Sequence, residues 1–282
     1  PFFLKVGYHR PHSPYDPPEY YLNIYKNKKL PPLPAGEWSE EFAQKTDQIN
    51  ASRGKISEEV YERMRKAYLA TITHIDYQIG RLIYYLKQNE LYENTNIIFT
   101  SDHGDLQGDH HMFRKVVPFE GSAKIPFIYK PAVGDYERGK NEELSVSHMD
   151  IMPTVLDQAN LTVPEKVEGI SLTPLFQGEK INKREFIHGE HAYGNEGWQY
   201  VTDGKEKFIW ESKSGDKYFF DLREDPDEEY NLINDPEYQD RISIWEDRLI
   251  KVLAARSEDG LSDGEKLLSG KVLPAVRSEL LN

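Results

Sequence analysis

The alternation of apolar and polar positions predicts strands and one long helix in the first part of the chain. Short apolar runs at residues 1–8, 96–100 and 125–129 are typical of buried strands. A helix is predicted to begin after Ser57, a favourable N-cap, because apolar residues then follow at spacings of three and four. The positions expected to face the sheet are Val60, Met64, Tyr68, Ile72, Ile75, Ile79, Leu82 and Leu86.

The pattern changes towards the C-terminus. Apolar runs at residues 199–202 and 207–210 flank Asp203-Gly204, which predicts a β-hairpin with a tight turn. A third antiparallel strand is predicted over residues 217–222. Asp235 followed by proline predicts the start of a helix, since proline suits the first helical position.

These patterns predict two units. Residues 1–183 are expected to form an α/β part, with a largely parallel sheet flanked by helices, because strands alternate with helical segments. Residues 184–282 are expected to form a small subdomain of antiparallel sheet and helix. A further strand over residues 144–147 and a short helix through residues 154–156 are predicted in the first unit. The acidic run 223–229 indicates a solvated loop.

Composition narrows the classes of function. Apolar residues make up 38% of the 282, enough for a core, yet no apolar run approaches the ~20 residues of a membrane span. The net charge of -13 argues against a nucleic-acid-binding protein, which is usually basic. It leaves open an anionic small substrate, since a site can be locally positive. Without cysteine, the chain forms neither disulfides nor thiolate metal sites.

The strand at residues 96–100 runs directly into Ser-Asp-His-Gly, with Asp102 and His103 at its carboxyl end. Ligands of open α/β sheets bind at this edge, and a carboxylate with an imidazole is able to hold a cation. Lys115 would add a positive charge for an anionic substrate. Gly104 is expected to permit a sharp turn. Taken alone, the motif is equally consistent with an ordinary turn, because Asp and Gly favour turns for local reasons.

Several blocks of the sequence resemble the sulfatases of the alkaline-phosphatase superfamily, in the family's order. They are residues 1–4 with Pro11-His12-Ser13-Pro14, and residues 76–82, 101–115, 150–154, 168–172 and 220–226. Residues 7–12 and the Asp-His pair are similar to the iduronate-2-sulfatase branch and to bacterial sulfatases that act on glycosaminoglycan sugars. The resemblance implies an alkaline-phosphatase-like α/β fold, hydrolysis of sulfate esters and a periplasmic or secreted location.

The resemblance also implies roles for individual residues. Asp102 and His103 would ligate a divalent cation, usually Ca²⁺ or else Mg²⁺, and Lys115 and His12 would contact the sulfate group. A cation, an ammonium and an imidazole lower the barrier by stabilising the charge that develops on the oxygens. His12 would also protonate the leaving alcohol. In the C-terminal part, substrate contacts are expected from two further residues, His191 and Trp198, the latter by stacking on a sugar or aryl ring.

One family element is absent from these residues. The sulfatase nucleophile is a formylglycine made from Cys or Ser in a Cys/Ser-x-Pro/Ala-x-Arg motif, and the chain contains no such motif. The paired metal-binding aspartates of the family are absent as well. Both lie upstream of the Pro-His-x-Pro loop in the family. We therefore expect a missing N-terminal segment of the same protein, and we expect this chain alone to be inactive.

Three functions remain open at this stage. The first is a sulfatase acting on a sulfated carbohydrate, which the resemblance favours, or on an aryl sulfate. The second is a phosphonate monoester hydrolase or phosphodiesterase of the same superfamily, since fold does not settle chemistry. The third is a truncated, non-catalytic chain. Outside the predicted site, His148 is expected to be structural, and His110 or His111 to be a hydrogen-bonding loop residue.

Overall fold

The computed structural model describes residues 2–46, 51–132, 143–179, 184–193 and 195–273, together with Gly139 and Ile181. The helices are α1 (Glu19–Tyr25), α2 (Glu58–Gln88), α3 (Glu120–Ala123), α4 (Ile151–Gln158), α5 (Thr173–Phe176) and α6 (Gln239–Ala254). The strands are β1 (Ile97–Thr100), β2 (Phe127–Lys130), β3 (Ile187–Tyr193), β4 (Glu196–Thr202), β5 (Glu206–Glu211) and β6 (Lys217–Asp221). None of these helices combines the length and the apolar character that crossing a membrane requires.

The long helix α2 begins where the sequence predicts but buries a different face. Ser57 caps it, because its Oγ accepts a hydrogen bond from the Val60 amide at 3.4 Å. The fully buried positions are Tyr61, Ala67, Ala70 and Thr71, whereas Val60, Ile72 and Leu82 of the predicted stripe are exposed. The predicted continuous buried face is therefore wrong. Helix α2 packs mainly on α1 and on the loop around Gly54, whose carbonyl accepts from the Tyr61 hydroxyl, rather than on β1 and β2.

Strand predictions in the first part are only half confirmed. Strands β1 and β2 form, but they pair antiparallel, with Ile97 opposite Lys130, so the predicted parallel pairing is wrong for these two strands. The segment 101–126 between them, which contains α3, returns the chain in the opposite direction instead of crossing over to a parallel position. Residues 2–8 and 144–147 are not strands, because no described strand supplies the hydrogen-bond ladder that either would need.

The three predicted C-terminal strands and the helix after Asp235 are confirmed, and the sheet contains one further strand, β3, that was not predicted. Strands β3 to β6 form an antiparallel sheet in chain order, and the turn between β4 and β5 places Gly204 at φ +83°. The Asp235 carboxylate caps the next helical segment by accepting from the Glu237 amide at 2.9 Å, and α6 follows. One face of the sheet packs on α6. The core between them consists of Val201, Phe208, Trp210, Phe219, Ile242, Trp245, Leu249, Leu253 and Leu261.

The opposite face of the sheet packs against the first part of the chain. Its core joins residues from the loops after β1 to residues from three strands of the sheet. The members are Leu106, Met112, Val117, Phe119, Trp198, Ile209, Tyr218 and Phe220. The two parts thus share a hydrophobic core. The predicted boundary at residue 183 lies outside the described residues and stays a prediction.

The acidic run 223–229 is only partly the solvated loop that its charge predicts, since residues 223, 224, 226 and 227 are exposed but two acidic side chains are buried. These two are Asp225 and Glu228. The Asp225 carboxylate accepts from the amides of Glu229 and Tyr230 at 3.0 and 2.8 Å, and Glu228 pairs with a buried lysine. Buried carboxylates are tolerated when N–H groups and cations satisfy them in this way. Charge density along the sequence does not reveal such partners.

Asp109 and His110 are neighbouring polar residues that are largely removed from water. His110 is almost fully buried, and its ring lies 4.7 Å from the Trp38 ring, centroid to centroid. Its Nδ1 accepts from the Gly36 amide at 3.4 Å, as expected for a hydrogen-bonding loop histidine. Burial lowers the pKa of His110 to about 4 and raises the pKa of Asp109 to about 7. Both groups are therefore held in their neutral forms near pH 6, where the unfolded chain would ionise Asp109.

We predict that Asp109→Asn stabilises the chain at neutral pH but not at pH 4. The folded state keeps the Asp109 proton up to a pKa of about 7, so the stability contributed by this group is lost as pH rises from about 4 to 7. The variant should gain up to about 4 kcal/mol in unfolding free energy at pH 7.5. Urea unfolding at both pH values measures this, with the exposed Asp76→Asn as control. An equal effect at both pH values would contradict it.

Candidate active site

A cavity of about 1250 Å³ separates the loops after β1 from the edge strand β3 of the C-terminal sheet. Five of the six residues predicted to form the site line it. They are Asp102, His103, Lys115, His191 and Trp198. The sixth, His12, contacts Lys115. The structure therefore brings together residues that are far apart in the sequence.

The His12–Lys115 contact defines one end of the site. Lys115 Nζ lies 2.9 Å from His12 Nε2, and His12 Nδ1 lies 2.8 Å from the Ser13 carbonyl oxygen. Because a carbonyl only accepts, Nδ1 carries the ring hydrogen and Nε2 accepts from the Lys115 ammonium. This arrangement places a cation and a neutral imidazole side by side, although residues 2–8 before His12 do not form the predicted strand.

The backbone around Lys115 adopts an unusual conformation. Arg114 and Val116 on either side have φ of +68° and +84°, and a positive φ is a genuine outlier for a β-branched residue such as valine. Such strain persists only where the surrounding structure enforces it. Here the loop ends in the fully buried Phe119, and a buried lysine of β5 binds the Pro118 carbonyl at 2.9 Å.

Asp102 and His103, the predicted metal ligands, lie side by side after β1. Asp102 Oδ2 lies 3.5 Å from His103 Nε2. His103 Nδ1 donates to the Gly104 carbonyl at 2.7 Å, which leaves the Nε2 lone pair free beside the carboxylate. These two groups fit a shared cation. Across the described ranges, however, no three or more His, Asp or Glu side chains are grouped as metal ligands, whereas Ca²⁺ takes about 6–8.

Gly104 and His148 hold this pair in place. A Cβ at Gly104 would lie 2.2 Å from the Gly121 carbonyl oxygen, and the Gly104 amide donates to Ser122 at 2.8 Å. Glycine is thus needed for the close approach of two backbones, not for the predicted sharp turn. His148 has the structural contact expected for it, since its Nε2 lies 2.7 Å from the carbonyl oxygen of Ser101.

The two predicted substrate contacts of the C-terminal part differ in accessibility. His191 and Trp198 are cross-strand partners on β3 and β4. His191 is exposed, but Trp198 is only 3% exposed, and its Nε1 donates to Glu196 at 3.0 Å. The Trp198 ring packs edge-on against Phe119. This burial favours a packing role for Trp198 over the predicted stacking on a substrate ring.

Sequence reasoning missed Lys207, a buried lysine that borders the cavity. Its Nζ lies 2.5 Å from Glu120 Oε1, 2.8 Å from Glu228 Oε1 and 2.9 Å from the Pro118 carbonyl oxygen. Burial by itself lowers the pKa of Lys207, but the charges of Glu228 and Glu120 outweigh it and raise that pKa. The one signal in the sequence is that Lys207 shares a strand face with the apolar Ile209.

Comparison with known proteins identifies the family. The sulfatase family model matches residues 1–161, and the model for the C-terminal region of N-sulphoglucosamine sulphohydrolase matches residues 108–255. The chain belongs to the sulfatase family. It is 44% identical to an arylsulfatase of Clostridium perfringens over 276 residues, which cover 96% of this chain and 57% of that protein. The chain thus spans little more than half the length of this sulfatase.

Solved structures of sulfatases and related hydrolases confirm the predicted alkaline-phosphatase-like α/β fold. A phosphonate monoester hydrolase of Agrobacterium radiobacter is similar with a TM-score of 0.73 and 25% identity, over 88% of this chain and 55% of that one. A second structure, solved in complex with its substrate D-glucosamine-2-N,6-O-disulfate, has a TM-score of 0.69 and 21% identity. The match covers 88% of this chain and 63% of the chain in that second structure.

We predict that Lys207→Met destabilises the fold strongly. The substitution leaves the buried Glu228 without its cation and leaves Glu120 paired only with the exposed Lys124, and breaking a buried ion pair costs about 3–5 kcal/mol. Lys205→Met on the same hairpin is the matched control, because Lys205 is exposed and its loss should change stability little. Urea unfolding measures both. A Lys207→Met variant as stable as the control would show that the ion cluster is not needed.

Proposed function

We propose that the protein containing this chain hydrolyses sulfate esters and that its substrate is a sulfated carbohydrate. The observation that carries the proposal is the Lys115 ammonium donating to His12 in the same region of the molecule as Asp102 and His103. In a member of the sulfatase family, this combination suits an anionic substrate. Its positive charge is local, since the chain as a whole carries -13.

Each side chain has a chemical task in this proposal. Lys115 Nζ donates to an oxygen of the sulfate group and offsets the charge that develops there. Asp102 and His103 hold a divalent cation, Ca²⁺ or Mg²⁺, which supplies further positive charge when bound. Because His12 Nε2 accepts from Lys115, this nitrogen carries a lone pair and no proton. His12 therefore protonates the leaving oxygen only after Nε2 has gained a proton.

The nucleophile is proposed to be a formylglycine on an upstream segment of the same protein. The 282 residues contain no Cys/Ser-x-Pro/Ala-x-Arg motif from which to make one, and the arylsulfatase relative is longer. Exposed apolar side chains support the presence of a covering segment. Phe99 and Ile128 face each other across β1 and β2 and are 40% and 59% exposed, and contiguous exposed apolar surface marks contact sites.

The size of the cavity and its rim favour a sugar over a simple aryl ester. About 1250 Å³ exceeds the roughly 300–1000 Å³ of a typical small-ligand pocket, so it accommodates more than one ring. His191 is exposed at the β3 wall and is proposed to contact the substrate. The structural neighbour solved with D-glucosamine-2-N,6-O-disulfate supports the same class of substrate.

A phosphonate monoester hydrolase is the second candidate function. The similarity to the Agrobacterium radiobacter enzyme favours it, and an ammonium beside a cation would stabilise phosphoryl oxygens equally well. Parallel assays of the complete protein with 4-nitrophenyl sulfate and a phosphonate monoester separate the two. Higher kcat/KM for the sulfate supports the sulfatase, and higher kcat/KM for the phosphonate supports the alternative.

In the complete protein, Lys115→Ala should lower sulfate-ester turnover about 10²–10³-fold, the effect typical of removing one charge-stabilising donor. Stability should change little, because Lys115 is only partly buried and binds another polar side chain. Lys251→Ala, on the exposed face of α6, is the control. Equal turnover in folded wild type and folded Lys115→Ala would remove Lys115 from the mechanism.

The isolated 282-residue chain should bind Ca²⁺ weakly and hydrolyse no sulfate ester. Asp102 and His103 supply only part of a Ca²⁺ shell, and no formylglycine motif is present. Calorimetric titration with Ca²⁺ and an aryl sulfate assay test both statements. Tight binding together with multiple turnovers, by a chain shown to start at Pro1, would mean that the active site is elsewhere.

A further inference from the structure

The structure points to Tyr200 as a residue that sets substrate specificity in this cavity. We propose that its hydroxyl group binds a hydroxyl group of the carbohydrate part of the substrate. The inference rests on the proposed function for the identity of the substrate, but its geometry is independent of the catalytic residues. Tyr200 lies on β4 and borders the same cavity as Lys115.

The Tyr200 ring occupies a slot that only glycine provides. Tyr200 and Gly189 are cross-strand partners, and a Cβ built on Gly189 would lie 2.2 Å from two ring carbons of Tyr200 and 2.4 Å from its hydroxyl oxygen. The φ of Gly189 is not in the left-handed region, so its backbone conformation does not require glycine. The missing side chain instead lets the tyrosine ring lie flat over the edge strand β3, at the cavity.

Lys207 limits the ring on its other side. Its ammonium lies 5.8 Å from the centroid of the Tyr200 ring, within the range of a cation–π contact. Because Lys207 is itself held by Glu120, Glu228 and Pro118, it is a fixed neighbour. The ring is thus oriented by the fold before any ligand arrives, which reduces the entropy lost on binding.

Among the described residues, the hydroxyl group at the end of this oriented ring has no hydrogen-bond partner. In the part of the chain that the structure describes, no hydrogen bond to the Tyr200 hydroxyl is present, and the oxygen is not sealed inside the core. A largely buried tyrosine hydroxyl usually finds a partner. Burial also raises the pKa of Tyr200, which keeps the hydroxyl in its neutral, donating form. The free donor and acceptor are therefore available to a ligand.

Tyr200 and His191 form one polar wall. His191 lies two residues along β3 from Gly189, so their Cα–Cβ directions point to the same side of the sheet. The remaining lining of this wall is apolar or already paired. A ligand with a sulfate at Lys115 and ring hydroxyls towards β3 would satisfy both ends of the cavity. A sugar has these hydroxyls, whereas a simple aryl sulfate does not.

The test compares two substrates in the complete protein. The probes are a sulfated disaccharide derived from heparin and 4-nitrophenyl sulfate. Tyr200→Phe should raise KM for the disaccharide about tenfold, the loss expected for one hydrogen bond, with kcat unchanged. KM for 4-nitrophenyl sulfate should stay within about twofold. Gly189→Ala should give the same pattern, since its Cβ displaces the ring. Tyr230→Phe, at an exposed tyrosine, is the control.

The outcomes separate this inference from the proposed function. An unchanged KM for the disaccharide in folded Tyr200→Phe, in a protein that hydrolyses it, overturns the role of Tyr200 alone. If the wild type hydrolyses neither probe, the proposed function fails, and calorimetric binding of the disaccharide then decides about Tyr200. A tenfold weaker Kd in Tyr200→Phe supports the inference. An equal Kd, or no binding by the wild type, overturns it.

Discussion

The ion cluster of Lys207 with Glu120 and Glu228 is the interaction on which the site depends. It lies where the C-terminal sheet meets the loop that carries Lys115, and its three charges are largely removed from water. Such a cluster is stable only with nearly complete hydrogen bonding, and here the Glu120 amide and the Pro118 carbonyl complete it. The position of the loop that carries Lys115 is therefore set by the fold of the C-terminal sheet.

This dependence explains how a cavity with two different walls is assembled. One wall carries Lys115, Asp102 and His103, which suit an anion and a cation, and the other carries Tyr200 and His191, which suit hydroxyl groups. The shared hydrophobic core around Phe119 keeps the walls in register. In the proposed function, the first wall would supply the charges that stabilise a sulfate ester, and the second wall would determine which ester is accepted.

Local signals predicted the elements that local interactions determine. The Ser57 cap, the Asp203-Gly204 turn and the Asp235 cap each act within a few residues, and all three are present. Predictions failed more often for elements whose formation or burial depends on a distant segment of the chain. The run at residues 2–8 is apolar enough for a strand, but a strand forms only when another strand supplies hydrogen bonds. Likewise, the periodicity of apolar residues along α2 does not reveal which part of the chain packs on the helix.

The local pattern after an apolar strand predicted Asp102, His103 and Lys115 as site residues, whereas His12 was predicted only through the resemblance. His12 and Lys115 are 103 residues apart, and nothing in their neighbourhoods indicates that they touch. For the same reason, neither the role of Lys207 nor the burial of Glu228 in the acidic run was predicted, because the contact between these two residues forms only in the folded chain. Tyr200 was missed because its significance depends on Gly189 across the strand pair.

A crystal structure of the complete protein with Ca²⁺ and sulfate would test the central claim most directly. The account predicts a cation bound by Asp102 and His103, and a sulfate oxygen within hydrogen-bond distance of Lys115 Nζ with His12 beside it. A cation bound to other residues would contradict the account, as would a sulfate that lies outside this cavity while the Lys115 loop keeps the conformation described here.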